Sequence, residues 1–322
     1  MSRTLRVAVL MALAAAFAVP AHAADKIRVG KAVAHVFSFV PLDVGIDKGF
    51  FAKQGLEVEN IAFAGSAKLH QGLISDSVDI GLGAGPELNF LAKGEPTTAI
   101  ANLAGPPYGL GVIVLYDSPI KSLADLKGKN IGISTAGGLT HWMALELARV
   151  NGWGPDGVNP VALGGQIQSQ IAGLKTNQVA AIIEATGTAL QLEEKKELRL
   201  LAPTSSFVKD FMIHTIYATN KAIASNPEMI RRFLAGWFET INFMYANKAE
   251  TVRVARTVTH FDQSIEEREY DTVMPMFSRD GKFDPKALAV LARSFVTLKL
   301  LDTEPDLSKV VTEKFLPKPT GS

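Results

Sequence analysis

Cysteine is absent from all 322 residues. That excludes a disulfide framework, a thiol nucleophile, any cysteine-ligated zinc or iron–sulfur centre, and a lipid anchor on an N-terminal cysteine. An excess of charge of one sign is also missing. With 33 Lys and Arg against 32 Asp and Glu, the chain offers no strongly basic surface, so neither nucleic acid nor an anionic membrane is expected among its partners. The run Glu193-Glu194-Lys195-Lys196-Glu197 mixes signs and reads as a solvated helix face. Beyond the N-terminus, no apolar run approaches the roughly 20 residues of a membrane-spanning helix.

The N-terminus itself has the layout of a secretory signal. Arg3 and Arg6 precede an apolar stretch over 7–19, and Ala21-His22-Ala23 follows as a small-residue cleavage site. Cleavage after Ala23 is expected, and with it export as a soluble protein. Without a lipid anchor, such a protein stays near its cell only behind an outer barrier, which points to the periplasm. The roughly 299 residues left suffice for two lobes of ordinary size.

From Ile27 onward, apolar strand-like runs alternate with helical patterns, the mark of an α/β chain with mostly parallel strands. Strands are expected over 27–31, 56–63, 78–82 and 98–102, with helices over 39–52, 67–75 and 87–93. Gly105-Pro106-Pro107-Tyr108-Gly109 punctuates the chain ahead of an apolar run, and a first crossing between lobes is placed there. The pattern then repeats: strands over 130–134, 159–163, 180–184 and 198–202, and helices over 139–151 and 166–175. A β-branched stretch over 213–219 reads as the return crossing. Helices fill the chain from 227 to about 297, with Trp237, Phe238, Ile241 and Tyr245 spaced for one buried face. The expected division is therefore 24–107 with 217–322 as one lobe and 108–216 as the other.

Two segments share a form suited to holding a ligand. In each, a strand ends in small residues and opens a helix, whose first N–H groups lack internal partners and sit at the positive end of its dipole. One is Ala64-Gly65-Ser66-Ala67. The other runs from Ser134 to Trp142 and supplies Ser134, Thr135, Gly137, Gly138, Thr140 and His141. Only one of the rings of His141 and Trp142 can face a cleft there. Open α/β sheets bind ligands beyond the carboxyl ends of their strands, which adds His35 and Phe37 after the first strand, Gln166 after Gly164-Gly165, and Glu184 and Thr186. Gly83-Ala84-Gly85-Pro86-Glu87 is not a dinucleotide fingerprint, because Leu88 stands where its third glycine belongs. Gly85 and Glu87 remain candidates as parts of a tight turn.

Three segments together carry a family resemblance: the run from Gly49 to Glu59 (GFFAKQGLEVE), Gly72-Leu73 leading to Val78-Asp79-Ile80-Gly81, and the run from Ser122 to Lys129 (SLADLKGK). They resemble periplasmic substrate-binding proteins of ABC transporters, in the subgroup named for nitrate, sulfonate, taurine and thiamine-pyrimidine precursors, over approximately residues 26–245. The resemblance implies a type II periplasmic binding protein fold, with two α/β lobes, a hinge and a central ligand cleft. It implies a small-molecule solute, a permease and ATPase complex at the inner membrane as partners, and a monomer. In that family the turn matching Gly65, Ser66 and Ala67 touches ligand, and turns matching those at Gln166 and Glu184 do so in some members. Pyrimidine-synthesising enzymes of the same architecture carry a cysteine-rich motif that this chain lacks.

No catalytic residue, metal or cofactor is expected. The serine-hydrolase elbow fails because Ala136 follows Gly132-Ile133-Ser134-Thr135 where glycine is required, and neither zincin histidines nor a phosphate-binding lysine loop is present. A sensor subunit presenting its solute to a membrane kinase is the rival role. As for the solute, the turns offer the rings of Phe37, Tyr108 and Trp142 and no arginine. Lys68 is the nearest cation, on what reads as a solvated face. An aromatic or heterocyclic acid is accordingly expected ahead of a small oxyanion or alkanesulfonate.

Overall fold

The computed structural model describes residues 24–154 and 156–318. The signal-like segment over 1–23 lies outside them. Strand β1 (Asp25–Lys31) leads through a 3₁₀ turn to α1 (Val40–Asp47) and α2 (Phe50–Lys53). The sequence pattern predicts one helix here; Gly49 divides it by taking φ 72°, a left-handed conformation that glycine adopts without strain. Next come β2 (Leu56–Ala62), α3 (Ser66–Ile74), β3 (Ile80–Ala84), a 3₁₀ turn over Gly85–Glu87, α4 (Leu88–Ala92) and β4 (Thr97–Ala104).

The middle of the chain repeats the scheme: β5 (Leu110–Leu115), β6 (Asn130–Ile133), α5 (Leu139–Val150), β7 (Asn159–Ala162), α6 (Ile167–Lys175), β8 (Ala181–Ala185), α7 (Thr186–Glu193) and β9 (Leu198–Pro203). After β10 (His214–Thr219) the chain is helical: α8 (Asn220–Ser225), α9 (Pro227–Ala246), α10 (Lys248–Thr259), α11 (Gln263–Val273) and α12 (Pro285–Thr297). Helix α9 begins where the sequence dictates. Asn226 accepts from the Met229 N–H at 3.0 Å, and Pro227, which has no N–H to leave unpaired, occupies the first turn.

The strands form two sheets of matching topology, β2-β1-β3-β10-β4 and β7-β6-β8-β5-β9. In each, a parallel trio is followed by one antiparallel strand that belongs to the opposite stretch of sequence: β10 pairs with β3 and β4, and β5 pairs with β8 and β9. These two strands carry the chain between lobes. All six residues of β10 pair within the first sheet, inside the 213–219 stretch read as the return crossing, so 214–216 pair with that sheet and not with the second. Helix α9 buries Phe233, Trp237 and Ile241 against α1 and α2, and the Phe51 and Phe233 rings stack at 5.2 Å. Farther on, α11 and α12 reach the second lobe, where Thr186 donates to Glu269 at 3.0 Å and Trp142 Nε1 donates to Ser294 Oγ at 2.8 Å. Among the described residues, no helix is long and apolar enough to cross a membrane.

Candidate functional site

A cavity of about 60 Å³ lies between the lobes, at the carboxyl ends of the strands. The segment after β1 supplies Val33, Val36, Ser38 and Phe39, and the turn after β3 supplies Gly83, Ala84 and Glu87. From the other lobe come Ser134 after β6, Gly165 after β7 and Glu184 on β8, with Gln170 on α6 and Leu139 and Thr140 on α5. Leu110 and His214, the first residues of the two crossing strands, close the ring.

The two helix N-termini that the sequence singles out face each other across the mouth of this cavity, and they hold one another. The Ala67 N–H donates to Thr135 Oγ1 at 3.3 Å, Asn89 Nδ2 donates to the Gly137 carbonyl at 2.8 Å, and the Gly165 N–H donates to the Ala64 carbonyl at 3.1 Å. Gly65 makes the approach possible. At φ 121°, a Cβ on it would lie 2.5 Å from Thr135 Cγ2. Gly138 likewise sits against Ser66. Of the expected grip residues, Gly65, Ala67, Thr135, Gly137 and Gly138 form lobe-to-lobe contacts, while Ser66, Ser134 and Thr140 line the cavity. Thr140 Oγ1 accepts from the Ser134 N–H at 2.9 Å, which fixes both hydroxyls.

The other expected residues divide. Glu87 and Glu184 line the cavity. Gly85 does not; it lies against the Met212 carbonyl. His141 accepts from the Gly137 N–H through Nδ1 at 2.9 Å, and burial lowers its pKa, which suits a neutral acceptor. His35 stands behind the wall with Nε2 3.6 Å from Glu184. Burial pulls its pKa down, but Glu184 outweighs that and raises it. His35 and Gln166 line a separate groove of about 420 Å³ against α10. Thr186 is turned toward Glu269.

None of the three expected rings lines the cavity. Phe37 is buried against Tyr270 and Phe277, Trp142 against Phe211 and Ser294, and Tyr108 stands 37% exposed. The C-terminal helices claim the first two rings, and Phe39 is the aromatic side chain in the wall. Among the described residues, no lysine or arginine lines it either.

Three polar residues of the site escape sequence reasoning. His70, on the buried face of α3, sits between Glu87 Oε2 at 2.8 Å and Glu95 Oε1 at 2.5 Å. Burial disfavours its charge, but the two carboxylates outweigh that and carry its pKa up to about 9. Glu87 is fully buried, and its Oε1 has no partner. His214 directs Nδ1 at the Gly83 carbonyl, 3.1 Å away, and burial lowers its pKa to about 4. A neutral ring donating from Nδ1 keeps Nε2 as an acceptor. Gln170 spends both amide hydrogens on the carbonyls of Ile133 and Gly164, and its Oε1 is unpartnered. A histidine on an apolar helix face and a glutamine inside a helix carry no spacing signal that separates them from ordinary core residues.

Among the described residues, no group of three or more His, Cys, Asp or Glu is arranged to hold a metal ion. What the site offers is a small, largely apolar chamber between two lobes, with hydroxyls and acceptors at fixed places.

Comparison with known proteins agrees with this architecture. A family model described as NMT1/THI5 like matches residues 36–251. A putative thiamine biosynthesis protein of Haemophilus influenzae is 35% identical over 153 residues, 42% of this chain and 47% of that protein, so the match spans about half of the relative's length. A putative binding protein of Brucella abortus is 27% identical over 231 residues, covering 70% of this chain and 69% of the relative. Among solved structures, the alkanesulfonate-binding protein SsuA from Xanthomonas axonopodis pv. citri, bound to MOPS, superposes with a TM-score of 0.76 at 17% identity over 89% of this chain and 98% of that one. Its fold is the periplasmic binding protein fold, two α/β lobes about a cleft, as here. With two thirds of its length matched by that family model, the chain belongs to the NMT1/THI5-like family.

Proposed function

We propose that this protein is the solute-binding component of an ABC uptake system, exported to the periplasm with cleavage after Ala23. It captures one small organic solute between its lobes and delivers it to a permease and ATPase complex at the inner membrane. The division into lobes is taken as 24–107 with the chain from 214 onward against 108–213. The observation that carries the reading is the pair of helix N-termini latched across a cavity to which both sheets contribute. Closure of that kind is useful only if a ligand touches both lobes, since a ligand shifts an equilibrium only by its differential affinity for the two states. The chamber as it stands is about 60 Å³, roughly the room of two waters, so a solute enters by opening the mouth.

A binding role is favoured over pyrimidine synthesis because the chain has no cysteine with which to build the motif of the synthases it resembles. The alkanesulfonate named for the solved neighbour does not carry over readily, because no Lys or Arg lines this cavity to meet a sulfonate. The aromatic acid expected from the sequence loses its support for the same reason, together with the displacement of Phe37, Tyr108 and Trp142 from the wall.

Native mass spectrometry of protein taken from the periplasm without refolding tests the proposal. One small molecule bound per chain, a mature N-terminus at Ala24 and a smaller radius of gyration with the solute than without it are expected. A chain that carries nothing and keeps one scattering profile in every solute tried overturns it. Stimulation of a permease-bound ATPase, and not of a membrane kinase, distinguishes uptake from sensing.

A further inference from the structure

Given the proposed binding role, on which the inference rests, the charge of the chamber narrows the class of solute. The polar side chains of its lining are richer in acceptors than in uncommitted donors. Fully buried Glu87 gives Oε2 to His70 and leaves Oε1 unpartnered. Gln170 has both amide hydrogens on backbone carbonyls and leaves Oε1 unpartnered. His214 points its Nδ1 at the Gly83 carbonyl, which leaves the lone pair of Nε2. Glu184 adds a second carboxylate, whose Oε1 accepts from the Ala185 N–H at 2.9 Å and lies 3.6 Å from His35 Nε2, and the serine and threonine hydroxyls can serve either way.

Behind Glu87, both ring nitrogens of His70 face carboxylate oxygens, which favour the charged ring against the cost of burial. Two carboxylates thus share one ring, and the cluster is richer in acceptors than in donors. A buried acceptor without a donor is costly, and a buried uncompensated charge more so. A solute anion would add to both penalties. A cation with N–H groups relieves both, and Val33, Val36, Leu110, Leu139 and Ile183 line the rest of the chamber for an apolar body.

We infer that the cavity selects a compact organic cation, an ammonium, amidinium or guanidinium group on a short apolar body, with Glu87 as the residue that reads its charge.

The test uses the mature protein and two probe series at equal ionic strength, acetamidinium and n-propylammonium against methanesulfonate and propanesulfonate, followed by calorimetric titration and melting temperature. The cations are expected to bind and raise the melting temperature, the sulfonates to do neither. Glu87→Gln is expected to weaken cation binding by about tenfold or more, the size of a lost charge-assisted hydrogen bond, while its ligand-free melting temperature stays level or rises. Glu184→Gln, which leaves the His70 pair untouched, is expected to weaken the cations as well and covers the case in which Glu87→Gln folds poorly. Sulfonates that bind while cations do not would overturn the charge assignment and leave the binding role standing. Cation binding unchanged by both substitutions, or no response to either series, also overturns it. The binding role then stands or falls separately on the copurified solute.

Discussion

The two lobes meet at a mouth and along a rear join, and the two are built from different chemistry. At the mouth, neutral groups on short turns meet: an amide on a threonine hydroxyl at 3.3 Å, an asparagine on a carbonyl at 2.8 Å, an amide on a carbonyl at 3.1 Å. Each is worth about 0.5–1.5 kcal/mol net, and water can replace it when the turns part. Along the rear, Trp142 is buried with its ring 4.4 Å from Phe211 and its nitrogen bonded to Ser294, Phe261 covers Gly187, and Glu269 and Val273 lie against Gly109 at the first crossing. Parting these surfaces would expose aromatic area and buried carboxylates. Opening is therefore expected at the mouth, with the rear acting as the hinge.

The sharpest way to break that contrast is to weaken the rear. Trp142→Ala removes a fully buried indole and is expected to cost about 3–5 kcal/mol of folding stability, read from urea unfolding. A loss below about 1 kcal/mol would mean the rear join is no firmer than the mouth.

Titration separates the two regions by pH window. In the rear, burial pushes Glu269 up to about 8 and Glu266 up to about 7, against an ordinary value of 4.5. A raised carboxyl pKa means the native state holds protons that the unfolded chain has released. The associated stability is full below about pH 4.5 and lost as pH climbs through 7 and 8. His70, raised from 6.5 to about 9, has the same sign over a higher window. His214, lowered from 6.5 to about 4, has the opposite sign: its contribution is present above 6.5 and lost as pH falls through 4. Urea midpoints are thus expected to fall steadily from about pH 6 to 9. Glu269→Gln should lessen the slope below about pH 8 and leave the parts that belong to Glu266 and His70. A wild-type midpoint that is level across this range would contradict both assignments.

Interference at the mouth should act on closure more than on folding. Gly65→Ala puts a Cβ where Thr135 stands and forces alanine to φ 121°, a strain of about 1–3 kcal/mol. A larger radius of gyration by small-angle scattering is the expected result, with most of the denaturation midpoint retained. An unchanged radius would mean that the lobes do not close through this turn.

The alternation of strands and helices made both sheets legible, because period and punctuation are local properties. The break at Gly49 and helix α7 over Thr186–Glu193 were not, the first because a single left-handed residue hides inside a continuous helical pattern. In the site, the two helix-opening turns supplied Ser66, Ser134 and Thr140, the tight turn Glu87 and the strand-end rule Glu184, all of which line the cavity. The same readings also gathered Phe37 and His141, whose facing depends on partners the pattern does not name: Tyr270 and Phe277 for one, the Gly137 amide for the other. Gln170 and His214 stayed hidden because they reach the wall from a helix interior and from the returning strand, and His70 because it stands behind Glu87. Their roles are set by Glu95, Gly164 and Gly83, contacts that exist only once the sheets are assembled.

The smallest expected effect is the most specific to the mouth. Thr135→Val keeps the shape of the side chain and removes only the oxygen that accepts from the Ala67 N–H. In an open molecule water serves that amide, so folding stability should hardly move. Closure loses one neutral hydrogen bond, and about 1 kcal/mol corresponds to roughly a fivefold shift toward the open form. Because the chain has no cysteine of its own, one introduced on each lobe gives a clean fluorescence pair across the mouth. A lower closed fraction at an unchanged urea midpoint would confirm that the mouth is held by exchangeable bonds of this kind. A closed fraction equal to wild type would mean that the contact between Ala67 and Thr135 only accompanies closure, and the latch would then have to be sought at Asn89 and Gly137.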